Sequence, residues 1–236
     1  MRGQFYRGAS LACTIIVVLA ASCGEHRESE AAWAIRAGVP PALQKIADRA
    51  EAIILLAPSG DWPRVYAYSR EIKDAWLDYK HPTISTWSAR FRPPGAIFVQ
   101  DLDAAVAALY DAQAARDLTR TLRAANDISE SALDLFDYYH PTTPPDVRRL
   151  AVLQRRVIMD VTAGDFNSAS KGLGHLDQMW LRIKPTVQER TDAEVIRTLE
   201  DHIAAQHAAL ATGDWQDLAA HARETLALID LLQQSY

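Results

Sequence analysis

One short phrase recurs along this chain and sets what it can fold into: glycine, aspartate, then an aromatic residue. It stands as Gly60-Asp61-Trp62, Gly164-Asp165-Phe166 and Gly213-Asp214-Trp215, with a degraded copy, Arg116-Asp117-Leu118, between the first two. Glycine can end a helix in the left-handed conformation without a Cβ penalty. The aspartate can then accept the free N–H groups at the start of the next helix. The aromatic residue pins the turn to the core. The phrase therefore predicts a tight helix-to-helix turn, and Asp61, Asp117, Asp165 and Asp214 follow one another at spacings of 56, 48 and 49 residues.

Apolar residues recur behind each aspartate with the period of an amphipathic helix. After Asp165 they are Phe166, Ala169, Leu173, Leu176, Trp180 and Ile183; after Asp214 they are Trp215, Leu218, Ala222, Leu226, Ile229 and Leu232. Trp62, Val65, Ile72, Trp76 and Tyr79 fit the same face after Asp61. Ala-, Leu-, Arg- and Glu-rich stretches between the prolines favour helix, and no run alternates as a strand does. The expected fold is all-α, with about eight helices as four antiparallel hairpins, at about 41–80, 101–140, 145–184 and 189–234. They would stack as a short α-solenoid or as two packed four-helix bundles. The turn resembles the hairpin logic of tetratricopeptide repeats. The period here is longer than their roughly 34 residues, and their Trp-Leu-Gly-Tyr spacing is absent, so the resemblance is one of architecture.

The first 22 residues read as a secretory leader. Arg2 and Arg7 precede an apolar run, Leu11 to Ser22, too short for the roughly 20 residues of a membrane span. Its ending, Leu19-Ala20-Ala21-Ser22-Cys23, resembles the lipobox of bacterial lipoproteins, which implies lipidation of Cys23 as the first mature residue. Gly24, where an aspartate would favour inner-membrane retention, implies by the same resemblance an outer-membrane anchor facing the periplasm. Residues 23–40 are then a tether and 41–236 the helical-hairpin repeat domain. Cys13 lies in the leader, so the domain has no thiol, which excludes disulfides, zinc thiolates and cysteine nucleophiles. A net charge of −5 gives no basic field for nucleic acid.

Two further phrases repeat: Asp78-Tyr79-Lys80-His81-Pro82-Thr83 and Asp137-Tyr138-Tyr139-His140-Pro141-Thr142. Proline cannot continue a helix, and a cation in the last turn suits the helix dipole. Lys184-Pro185-Thr186 occupies the same place in the third hairpin, so the phrase reads as a helix stop. Among the other histidines, His202 and His207 sit about 140° apart on one helix, a poor geometry for a shared metal. There is no nucleophile elbow, phosphate loop, His-Glu-X-X-His or dinucleotide fingerprint. No catalytic residue, metal ligand or cofactor is assigned.

Three features stand out as candidate sites. Gly172 and Gly174, inside a helical stretch beside His175, are either a close helix approach or a notch for a ligand. The connection 81–100, far longer than the usual 2–8 residues, holds Trp87, Arg90, Phe91, Arg92 and Phe98, residue types that dominate protein–protein contacts. Arg148, Arg149, Arg155 and Arg156 are a doubled i, i+7 arrangement with nearby acids, read as a solvated face. The sequence points to a non-enzymatic, lipid-anchored envelope protein serving as a protein-interaction or scaffold module for another envelope protein. The alternative is a periplasmic helical bundle binding a metal ion or small ligand, which needs several of His175, His202, His207 and His221 to converge.

Overall fold

The computed structural model describes residues 38–81, 96–139, 141 and 144–236. The leader, Cys23, Trp87, Arg90, Phe91, Arg92 and His140 lie outside the described residues. Eight α-helices account for nearly all of the rest: α1 (Pro41–Leu56), α2 (Trp62–Lys80), α3 (Ala96–Ala114), α4 (Leu118–Phe136), α5 (Pro145–Thr162), α6 (Phe166–Gln188), α7 (Ala193–Thr212) and α8 (Trp215–Gln234). No strand occurs among the described residues, and no helix there is long and apolar enough to cross a membrane.

The recurring phrase folds as its chemistry dictates. Gly60, Gly164 and Gly213 have φ of +75°, +75° and +72°. Each following aspartate accepts from a backbone N–H three residues on: Arg64 to Asp61 at 3.3 Å, Ser168 to Asp165 at 3.1 Å and Asp217 to Asp214 at 3.0 Å. The degraded copy keeps the geometry without the glycine. Arg120 N–H donates to Asp117 at 3.0 Å, and Arg116 is forced to φ +52°. A side chain there carries a cost that glycine avoids.

The hairpins close into two four-helix bundles. In the first, α1 packs on both α2 and α4, α3 packs on α4, and α2 meets α3; in the second, α5 packs on α6 and α8, and α7 on α8 and α6. In a solenoid the equivalent helices of successive hairpins would stack, whereas here the first helix of one hairpin lies on the second helix of the next. Each bundle has its own core. Leu43, Ile46, Ile72, Leu109, Ile128 and Phe136 are sealed in the first, and Val157, Leu173, Leu176, Leu199 and Leu232 in the second. Fully burying each such side chain contributes about 1.5–3 kcal/mol.

The two bundles also share a clamp. Trp76 Nε1 and Lys80 Nζ, one turn apart on α2, both donate to Asp103 of α3, at 2.5 and 2.6 Å. Trp180 Nε1 and Lys184 Nζ on α6 reach Glu200 of α7 in the same way, at 3.0 and 2.5 Å. Trp-Leu-X-X-Lys is thus a second repeated phrase, and it fixes the crossing from one hairpin to the next.

Three expectations change. α2 stops as expected, with His81 outside the helical region at φ −128°. α6, however, runs through Pro185 to Gln188, so Lys184 marks no helix end. Proline in a helix interior costs about 3 kcal/mol. Val187 is fully buried beyond it, while Leu181, whose carbonyl loses its donor, is 72% exposed and open to water. Burial of the next turn outweighs the proline. Likewise α3 begins at Ala96 and not near 101, and α7 begins at Ala193, where Asp192 accepts from Glu194 N–H at 2.8 Å.

Candidate functional site

α5 is the helix that the two bundles share. One face carries Val147, Leu150, Ala151, Val157 and Val161 into the second core; the opposite stripe carries Val152 into the first. The four arginines flank Val152 along that stripe. They are therefore not a solvated face but the seam between the bundles. Arg148, 12% exposed, reaches Glu51 of α1 at 3.3 Å and lies over the Phe136 ring at 5.4 Å. Arg149, 14% exposed, bonds Asp134, Asp137 and Asp146 at 2.7–2.9 Å. Burial alone would lower its pKa, but hydrogen bonds to Asp137 and Asp134 prevail and hold it above the ordinary arginine value. Arg156 pairs with Asp127 and Glu130 at 2.6 and 2.7 Å, and Arg123 of α4 answers from the other side to Asp160 at 2.8 Å.

Arg155 differs from its neighbours. Its Nε donates to Asn126 Oδ1 at 3.0 Å, and Asn126 in turn donates to the Val152 carbonyl at 3.1 Å. Its Nη2 is buried and meets no acceptor. Desolvation pushes its pKa below the usual value despite the field of Glu51 and Asp230.

Two openings lie along the seam. A groove of about 340 Å³ runs between α1, α4, α5 and α8, with Ile54, Leu55, Leu122, Ile158 and Leu226 as its apolar wall and Arg155 among its lining. Leu55 on its rim is 82% exposed, more than any other large apolar side chain among the described residues. Asp230 also lines it, and burial lifts that carboxyl above its ordinary pKa. A polar cleft of about 380 Å³ opens between α4, α5 and α6, lined by Arg123, Asp127, Arg156, Asp160, Gly172 and His175 among others.

The residues singled out in the sequence fall in different places. Gly172 sits where a Cβ would meet Val157 Cγ2 at 3.1 Å, so it permits α6 to approach α5 closely. It also lines the polar cleft with His175, whereas Gly174 faces open space and does not. Phe98 is half-buried at the start of α3, its ring edge-on to Tyr138 at 5.9 Å between centroids.

The four histidines do not come together as one group. His207 Nε2 lies 2.6 Å from Asp177 Oδ2. His202 Nδ1 of α7 and His221 Nδ1 of α8 are 2.9 Å apart. Among the described residues no three His, Cys, Asp or Glu side chains cluster so as to hold a metal ion. Of the four histidines whose convergence the sequence leaves open, the fold brings together only this pair, from two helices. The chain matches no family model, no curated protein and no solved structure. The reading of the site therefore rests on its own geometry.

Proposed function

We propose that this chain is a non-enzymatic, lipid-anchored envelope protein that binds another envelope protein through the groove at its inter-bundle seam. The leader-like residues 1–22 and Cys23 support the anchor. One structural observation supports the contact: a groove with an apolar wall, whose rim residue Leu55 is 82% exposed, next to the buried and unmatched Arg155 Nη2. Contiguous exposed apolar surface rimmed by polar groups is how interaction sites present themselves. A large buried apolar anchor from the partner, with a carboxylate directed at Arg155, would satisfy both features.

The test places a photo-activatable phenylalanine analogue at position 55 in intact envelopes, and at position 181, also well exposed, as a control. A discrete adduct from position 55 alone supports the reading; equal adducts from both positions, or none from 55, sink it. The segment with Trp87, Arg90, Phe91 and Arg92 is the other contact that the sequence nominates. Deleting residues 83–98 tests it separately, and unchanged capture removes it from the surface.

A further inference from the structure

We propose that residues 28–36 of this chain are the resident occupant of the seam groove, laid back along α1 with Trp33 seated against the apolar wall, so that a partner must displace them. The inference rests on the groove being the contact surface proposed above. It starts from where the groove leads. Asp230 lines the groove and also lines a polar opening with Gln44, Arg148 and Gln233. The two openings therefore join into one track along α1 and α8, from Gln44 in the first turn of α1 to Leu55 in its last. The chain enters α1 at the Gln44 end, through Pro40 and through Val39, which packs on the first core.

The reach matches the track. Leu55 is fifteen residues on from Pro40, about 22 Å along a helix axis. Trp33 is seven residues before Pro40, and an extended chain covers about 23 Å in that many. Trp33 is the sole aromatic residue between Cys23 and Gly38, and Ile35 is two positions on, which is the same side of an extended segment.

The charges match in the same direction. Glu51 and Asp230 stand along the nearer part of the track. Arg155 and Arg223 line the far part, about two helical turns on from Arg148 and Asp230 respectively. Counted back from Pro40, Arg36 falls beside the acids, and Glu30 falls beyond Trp33 beside the arginines. A carboxylate there supplies the acceptor that the buried Arg155 Nη2 lacks. A segment tethered this close acts at an effective concentration of about a millimolar, so a modest intrinsic affinity fills the groove. The partner's apparent affinity then falls in proportion to the fraction of grooves left open.

The test irradiates purified full-length protein carrying the photo-activatable analogue at position 55, as an equal mixture of isotopically light and heavy chains, and maps the cross-links by mass spectrometry. The expected adduct joins position 55 to residues 28–36 of the same chain and falls at least fivefold in Trp33→Ala and in Glu30→Lys. In intact envelopes Trp33→Ala should raise the yield of the partner adduct about threefold or more. An adduct between light and heavy chains means that a second copy occupies the groove and overturns the proposal. So does the lack of any adduct to residues 28–36, or a partner yield that Trp33→Ala leaves unchanged. The same-chain adduct with no partner adduct from either protein supports the internal occupant and removes the envelope partner instead.

Discussion

The two bundles share one plan and differ in what fills them. Both turn their hairpins with the same glycine–aspartate phrase, and both cross to the next hairpin through a tryptophan and a lysine on one carboxylate. Inside, the first bundle's buried serines Ser69 and Ser129 donate to carbonyls of their own helices, and its tyrosines meet near one end, with Tyr79 and Tyr139 hydroxyls 3.1 Å apart. The second carries a polar chain through its centre: Gln154 donates to Gln206 at 3.0 Å, and Gln206 to Thr225 at 2.8 Å. Its turns also interlock, since Phe166 and Trp215 stack at 3.8 Å, whereas Leu118 stands in the aromatic place of the degraded copy. The shared parts set hairpin geometry. The differing parts set register, in the second bundle by hydrogen bonds matched from helix to helix, a role for which buried polar groups are attested elsewhere.

The largest expected effect is in the first core. Phe136 is fully buried beneath Arg148, and Phe136→Ala should cost about 3–5 kcal/mol in urea unfolding. A loss below 1 kcal/mol would mean that this end of the bundle is loosely packed. Next, Gln206→Ala leaves Gln154 and Thr225 without their partner and should cost about 1–3 kcal/mol. The triple replacement Gln154→Leu/Gln206→Leu/Thr225→Val should be near neutral or stabilising, and its bundle should show broader amide resonances if the polar chain fixes register. Sharp resonances in the triple variant would break that half of the comparison.

Smaller effects sharpen the turn argument. Arg116→Gly should stabilise by about 1 kcal/mol, because it relieves the one left-handed position held by a side chain among the described residues. Gly213→Ala should destabilise by a similar amount for the converse reason. Gly174→Ala should stabilise by about 0.5–1 kcal/mol, since open space surrounds it within a helix.

The smallest effect concerns the two clamps. Burial alone would raise Asp103, but hydrogen bonds from Lys80 and Trp76 hold its pKa below the ordinary carboxylate value; Glu200 is lowered chiefly by Lys184. A lowered folded-state pKa gives stability that is present above the unfolded value and lost as pH falls through the folded one. Asp103→Asn and Glu200→Gln should therefore each flatten the acid limb of a stability–pH curve below about pH 4.5, because each variant lacks near neutrality the small stabilisation that the parent loses only in acid. A steeper acid limb in either variant contradicts the clamp.

Much of this was legible in the sequence for a local reason: turns and caps are set by residues within a few positions of each other. Asp61, Asp117, Asp165 and Asp214 cap as their spacing implies, and the helix stop at His81 follows from Pro82. Pro185 misleads because the gain that overrides it, burial of Val187, is tertiary. The choice between solenoid and bundles stayed open because amphipathicity says which face of a helix is covered and not by what. α5 shows the same limit. A doubled arginine pair around Val152 looks solvated from charge balance alone, yet it is buried because a second bundle lies against it. His202 and His221 approach each other only once the hairpin around Gly213 has formed.

The central claim is that the α5 seam makes the two differently filled bundles a single body, with the groove as a fixed feature of it. Hydrogen-exchange mass spectrometry across a urea gradient reads peptides from α1–α4 and α5–α8 in one sample. The account predicts one common midpoint for both sets, separating into two when Arg148→Ala and Arg149→Ala are combined. Two distinct midpoints in the unaltered protein would contradict it.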